Sequence, residues 1–511
     1  MEVLQRVLPT GLPVSIQVIA ATIVLGIVYS LVTAERPFTG FPVVSFDGKS
    51  PAESWMFHGK ETLEEGLRRF SGPFQVITGT GPKIVLPNKF ADDIRSHPSL
   101  DFNRAFAKDF LVHYPGFDGF RVGLSGDELI QETVRVKLTQ SLGLITEDLV
   151  DETTDALHVV LGESKEWTTR FIRDDALEIV ARLSSRVFLG SGICRNRRWL
   201  DIAKSYTIDS FVTTRILRAV PSFVRPIAFL LLPQSRTLRK AVRDARDLID
   251  PEVERRKAAV DAAKAAGLKP PKVADTIGWM YEIARGRKKD FVAGQLSLTT
   301  AAIHTTTETS CSALLDICEY PEVAQQLREE IIQVIGEHGW AKTSLSKLKL
   351  MDSFLKEGQR VRPMSSSTMH RYVEKKVEIS DGTTLPQGSR VVIASNFMDP
   401  TIYPEPEKFD AARFLKMRQQ PGQENNWQFV TTSPSYTLFG HGQHACPGRF
   451  FAANEVKIAL CHLLLKYDWR FVPGEGRPAP TNFEGVNGVD QKSRVQIRRR
   501  QAEIDLDLSP N

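Results

Sequence analysis

From Val7 to Ala34 the chain carries no Asp, Glu, Lys or Arg, and Pro13 to Ala34 reads PVSIQVIAATIVLGIVYSLVTA. A helix rising about 1.5 Å per residue over such a run is long enough to cross a bilayer. A cleaved signal peptide is the alternative, because Val32-Thr-Ala34 offers a small-residue cleavage site. Its apolar region would then be about twice the usual 7–15 residues, so a membrane anchor is the expectation. Arg36-Pro37 to Pro42 reads as a stiff exit whose prolines block helix continuation. Arg6 and Arg36 flank the run on opposite sides, so charge asymmetry does not orient it. The division predicted is residues 1–36 as anchor and flank, and residues 37–511 as one catalytic domain.

Past the anchor, apolar spacing is mostly helical. A long helix is predicted from Phe291 to Cys318, another from Leu350 to Arg360, and helix from Leu248 to Ala284 except near Pro270-Pro271. Strand patterns are fewer and shorter. Pro73–Thr78 and Lys83–Pro87 flank Gly79-Thr-Gly81, which lacks the third glycine of a dinucleotide fingerprint and reads as a turn. Val377–Ile379, Arg390–Ile393, Trp469–Val472 and Val495–Ile497 complete the set. The fold class is mainly α with small β-sheets.

Composition narrows the classes further. An apolar content of 42% supports a substantial core, and no repeat or Ser/Gly linker divides the 511 residues. A net charge of +5 is small against 66 basic and 61 acidic residues, which gives no sign of a nucleic-acid partner. Basic clusters at Arg255–Lys257, Arg285–Lys289 and Arg498–Arg500 read as solvated faces. The cysteines (Cys194, Cys311, Cys318, Cys446, Cys461) show neither a disulfide framework nor a Cys-x-x-Cys spacing, which suits a reducing compartment.

The chemistry concentrates near the C-terminus, in Phe439-Gly-His-Gly442-Gln-His444-Ala-Cys446-Pro-Gly448. A thiolate that ligates haem iron needs a loop flat enough to lie beneath the macrocycle, backbone N–H groups turned to the sulfur, and an apolar ring beside it. Glycines supply the backbone freedom. The segment resembles the haem-binding signature of the cytochromes P450, Phe-x-x-Gly-x-x-x-Cys-x-Gly. Taken alone, it would also suit a buried cysteine in a glycine-rich turn. Two further motifs stand in the family's order. Glu357 and Arg360 form a Glu-x-x-Arg pair on one helix face. Phe409-Asp-Ala-Ala-Arg413-Phe414 follows, led in by Pro404 and Pro406. The resemblance implies a structural network of Glu357, Arg360 and Arg413, and Cys446 as the axial ligand of haem b, with Phe439, Gly442 and His444 around it.

Ala301-Ala-Ile-His304-Thr305-Thr-Thr-Glu308-Thr309 resembles the family's oxygen-side helix, whose core reads Ala-Gly-x-acid-Thr-Thr. Thr305 falls on the threonine associated with proton delivery, and Ala301 keeps the wall thin. His304 stands where the family has an acid, which implies a variant relay, with Glu308 one turn on. His444 stands where the family has an arginine facing a haem propionate. Arg135 fits the arginine of Trp-x-x-x-Arg, with Gln131 in place of the tryptophan; a solvated helix arginine is the alternative. His370 or Arg371 is a further propionate candidate. Ala301, Ser366, Ser367 and Phe483 are expected in the substrate pocket.

The resemblance implies the P450 fold with an N-terminal transmembrane helix, held in the endoplasmic reticulum membrane with the catalytic domain in the cytosol. The reaction implied is monooxygenation of an apolar small molecule with O2. Its electrons come from NADPH through a cytochrome P450 reductase, since no flavin or nicotinamide module is fused. A haem-thiolate isomerase or dehydratase that uses no O2, and a non-catalytic membrane-tethered haem carrier or sensor, are the alternatives. His113-Tyr-Pro-Gly-Phe117 and Ala302-Ile-His-Thr-Thr306 look similar to fungal P450s of terpenoid and related secondary metabolism. Polyketide and indole-alkaloid substrates come next.

Overall fold

The computed structural model describes residues 35–270 and 273–508, together with residues 13, 15–17, 20, 21, 24–26 and 28. The expected anchor, Val7–Ala34, therefore lies largely outside the described residues. Among those described, no helix is long and apolar enough to cross a membrane.

The helices that position the site are α1 (Phe102–Phe110), α2 (Asp118–Gly123), α3 (Ile172–Leu189), α4 (Arg197–Ala219), α5 (Phe291–Glu319), α6 (Lys349–Val361) and α7 (Arg449–Lys466). The central one is α5. The Asp290 side chain caps it, accepting from the Ala293 N–H at 2.9 Å. Its sequence is apolar or hydroxyl-bearing on nearly every side, which suits a helix wrapped by neighbours. α2, α3, α4, α6 and α7 all pack against it. Most of its side chains, from Phe291 to Ile317, are buried.

Apart from a short pair, Val377–Glu378 with Thr384–Leu385, the strands are β1 (Phe74–Thr78), β2 (Gly81–Pro87), β3 (Leu100–Asp101), β4 (Thr168–Phe171), β5 (Ser367–Val373), β6 (Arg390–Ala394), β7 (Tyr467–Phe471), β8 (Thr481–Phe483), β9 (Val486–Gly488) and β10 (Arg494–Arg499). One sheet has the order β1-β2-β6-β5-β3, with β2 and β6 parallel and the other pairs antiparallel. A second joins β4, β10 and β7, and β8–β9 is a separate hairpin.

The helix expected from Leu248 starts earlier, at Pro233, and runs through Pro251 to Ala265. Pro233 sits in its first turn, where a missing N–H costs nothing. After it, Gly267 turns the chain at φ +66°, and Asp275 caps the next helix, Thr276–Ala284, accepting from Gly278 N–H at 2.9 Å.

Candidate active site

The Cys446 loop is built by two left-handed glycines. Gly440 has φ +70° and Gly442 φ +76°. A Cβ on Gly442 would also stand 2.6 Å from Arg95 Cβ, so both backbone and space demand glycine there. The Cys446 N–H donates to the Phe439 carbonyl at 2.7 Å, closing the loop. The Phe439 ring packs edge-on against Phe429, centroids 5.4 Å apart. Burial pushes the Cys446 thiol up, while the N–H groups of Gly448 and Arg449 and the Arg449 charge draw it down. Protein surrounds the thiol, yet the residue keeps part of its surface exposed. That combination belongs to a side chain on the wall of an internal void.

α7 begins three residues past Cys446 and packs on α5, so the loop is tied to the central helix. On α5, Ala301 and Thr305 are exposed while Ile303, Thr306 and Thr307 are buried. One turn apart, they share a face, and that face opens on space inside a helix otherwise packed all round. Thr305 Oγ1 donates back to the carbonyls of Ala301 (2.9 Å) and Ala302 (3.1 Å).

The expected His304 relay meets a different geometry. Its Nε2 lies 3.0 Å from the Lys204 carbonyl of α4, and burial lowers its pKa to about 4. A neutral ring pinned to α4 does not share the Thr305 face, because consecutive helical residues diverge by about 100°. Glu308 is engaged as well. It pairs with Arg173 at 2.8 Å and accepts from the Val489 N–H at 2.8 Å, tying α5 to the end of β9.

Beside the loop, His444 stacks on Phe102 with centroids 5.5 Å apart. Burial, then the nearby Arg371 charge, lowers its pKa. Arg371 is 1% exposed, donates only to the carbonyls of His370 and Arg95, and leaves Nε without a partner. Burial lowers its pKa to about 10. A buried guanidinium with no carboxylate in ion-pair reach among the described residues suits an anion from outside the polypeptide. His370, in the bulge between Thr368 and Arg371, is engaged elsewhere, 3.7 Å from Asp109 and against the Phe106 ring. Arg135 is half-exposed and lies 3.6 Å from Glu128, a weak pair that leaves its guanidinium available.

Glu357, Arg360 and Arg413 meet in the core. Arg360 grips Glu357 through Nε and a second nitrogen at 2.8 and 2.9 Å, with both side chains 0% exposed. Arg413 Nε reaches the same carboxylate at 3.0 Å. The remaining donors of both arginines go to the carbonyls of Phe397, Pro406, Pro404, Glu405 and Lys408. The network thus clamps α6 to the long loop that leads to Cys446.

Opposite α5, the Ser366 N–H donates to the Gly485 carbonyl at 2.9 Å, docking the β8–β9 hairpin on the start of β5. Ser366 Oγ has no partner among the described residues, whereas Ser367 is buried in β5. Phe483 in β8 carries the Arg215 guanidinium of α4 over its ring, 3.9 Å from the centroid.

Two features escaped the sequence reading. The first is an aromatic wall along α1. Phe102–Phe106 and Phe106–Phe110 stack at 4.6 and 5.9 Å, and Phe110 continues to Phe120 (5.0 Å) and Phe211 (5.1 Å). The i, i+4 spacing of these phenylalanines in FNRAFAKDF was the available signal. The second is Glu455 of α7, wholly buried, accepting from Ser184 Oγ at 2.7 Å with Thr306 beside it. Burial raises its pKa to about 8.

A family model for cytochrome P450 matches residues 133–497. The chain is 46% identical over 479 residues to the cytochrome P450 monooxygenase bsc2 of Alternaria brassicicola, covering 92% of this chain and 91% of that one. It is 41% identical over 480 residues to the cytochrome P450 monooxygenase adrA of Penicillium rubens, covering 93% and 92%. The chain therefore belongs to the cytochrome P450 family, as a haem-thiolate monooxygenase of the kind found among fungal enzymes of secondary metabolism. Haem fits the residues present: a thiol ringed by N–H donors on an internal wall, and a buried guanidinium short of an anion.

Proposed function

We propose that Cys446 is the axial thiolate and that the protein hydroxylates, or similarly oxidises, an apolar small molecule with O2 and electrons passed from NADPH by a separate reductase. The observation that supports this reading is the partly exposed Cys446, with the N–H groups of Gly448 and Arg449 turned to its sulfur. Bound there, haem supplies oxygen activation, which an axial thiolate favours by donating electron density. The chain supplies placement. Arg371, His444 and Arg135 would hold the carboxylates of the bound haem. Phe439 limits water at the sulfur. Thr305 Oγ1 orients a water and passes its proton into the void beside Ala301. His304 holds α4 to α5.

A terpenoid or related fungal secondary metabolite is the proposed substrate class, supported by the apolar wall and by the similarity to the Alternaria and Penicillium monooxygenases. Residues 1–36 anchor the protein to the endoplasmic reticulum with residues 37–511 in the cytosol, a reading supported by the uncharged run alone. The test is co-expression with a microsomal reductase. NADPH- and O2-dependent oxidation of an apolar substrate is expected. Substrate conversion without O2 would favour an isomerase or dehydratase, and haem loading without any turnover would favour a carrier.

A further inference from the structure

Arg215 is exposed on α4 and makes no hydrogen bond or ion pair among the described residues. Its face is occupied by Phe483, so the guanidinium is held in place while its fork of donors stays free. The contrast with Arg218, one turn on, is informative: that side chain pairs with Glu484 of the same hairpin and is largely buried. The cluster has a second arginine, and its charge is already spent.

The position of Arg215 is set by the aromatic wall. Phe211, one turn earlier on the same face, is 48% exposed although it packs edge-on against Phe110. The wall therefore runs from Phe102, beside His444, up to Phe211, and ends at Arg215 and Phe483. From Lys204, where α4 meets His304, to Arg215 the helix advances about 16 Å. An aromatic wall ending on one unpaired, oriented cation, displaced along α4 from the His304 contact, suits a hydrocarbon body with an acid group remote from the carbon that reacts.

Resting on the monooxygenase reading above, we infer that Arg215 is a substrate subsite for the carboxylate of an apolar acid. A carboxylate matches the free fork bidentately. A phosphate ester, with nearly two charges, would leave one unmatched because Arg218 is committed to Glu484.

The test uses purified ferric holoenzyme and two matched probe pairs, hexadecanoic acid with hexadecan-1-ol and abietic acid with abietinol. Binding is read from the spin-state change of the haem band. At least one acid should bind roughly tenfold or more tightly than its alcohol. Arg215→Gln should abolish that preference and leave alcohol affinity unchanged, whereas Arg215→Lys should keep part of it. No preference in either pair, an absence of binding included, would overturn the inference, as would a preference surviving in Arg215→Gln. The reduced-CO thiolate band, recorded on each sample, separates the two levels. A normal band without acid preference sinks this subsite alone, whereas a missing wild-type band sinks the monooxygenase reading beneath it.

Discussion

Arg360→Ala removes a guanidinium with no solvent exposure that grips Glu357 at 2.8 and 2.9 Å and donates to the carbonyls of Phe397 and Pro406 at 2.8 and 2.7 Å. Breaking a buried ion pair from one side costs ~3–5 kcal/mol, because a charge is left without its partner. Arg413 and the Asp410 N–H still touch Glu357, at 3.0 and 3.1 Å, which points to the lower part of that range. Each buried carbonyl left unpaired adds ~1–3 kcal/mol. The sum, ~5–9 kcal/mol, rivals the whole stability of a folded domain. The expected outcome is little or no haem-loaded protein. Arg360→Lys keeps the charge but loses the fork, and should give holoprotein with a lowered midpoint for urea-induced loss of the haem–thiolate band. Wild-type haem content in Arg360→Ala, with a stability loss under about 1 kcal/mol, would refute the reasoning, since surface pairs alone cost that little.

Thr305→Ala should uncouple the enzyme, NADPH still being consumed while peroxide replaces much of the product. His304→Gln, which keeps a polar link to Lys204, should hold the product-to-NADPH ratio near wild type; a loss equal to that of Thr305→Ala would put His304 back in the relay. Glu455, raised to about 8 by burial, is protonated in the fold but ionised in the unfolded chain above about 4.5. Its favourable contribution is therefore complete below pH 4.5 and is lost as pH rises to 8, at up to ~1.4 kcal/mol per unit. The Tm of Glu455→Gln should accordingly gain on wild type between pH 5 and pH 8, and parallel Tm curves would contradict the assignment.

The sequence was most informative where chemistry and spacing coincide. The helix expected from Phe291 to Cys318 runs Phe291–Glu319, and that from Leu350 to Arg360 runs Lys349–Val361. Periodicity alone carried both. It says nothing about which neighbour a polar side chain meets. His304 and Thr305 are adjacent in sequence yet diverge around the helix, and only the position of α4 decides that one is tied to a neighbouring helix and the other stays exposed. Glu308 finds Arg173 across 135 positions, a pairing invisible to local reading. His370 and Arg371 were equal candidates until the fold set one against Asp109 and left the other with no anion among the described residues, at a bulge that local reading does not show. Arg215 gave no signal at all, because an exposed helix arginine is commonplace until a partner ring and a missing carboxylate distinguish it.

The assignment of Cys446 as the haem ligand bears the rest of the account, and the reduced-CO spectrum of Cys446→Ser tests it most directly. A hydroxyl at that position keeps the size of the side chain and the loop geometry but loses the soft, charge-donating sulfur. Wild type should give the thiolate-type band on reduction with CO, and Cys446→Ser should give none, with no NADPH-dependent turnover even where haem is retained. A thiolate band persisting in Cys446→Ser would mean that another cysteine holds the iron, and the site built around Cys446 would be wrong.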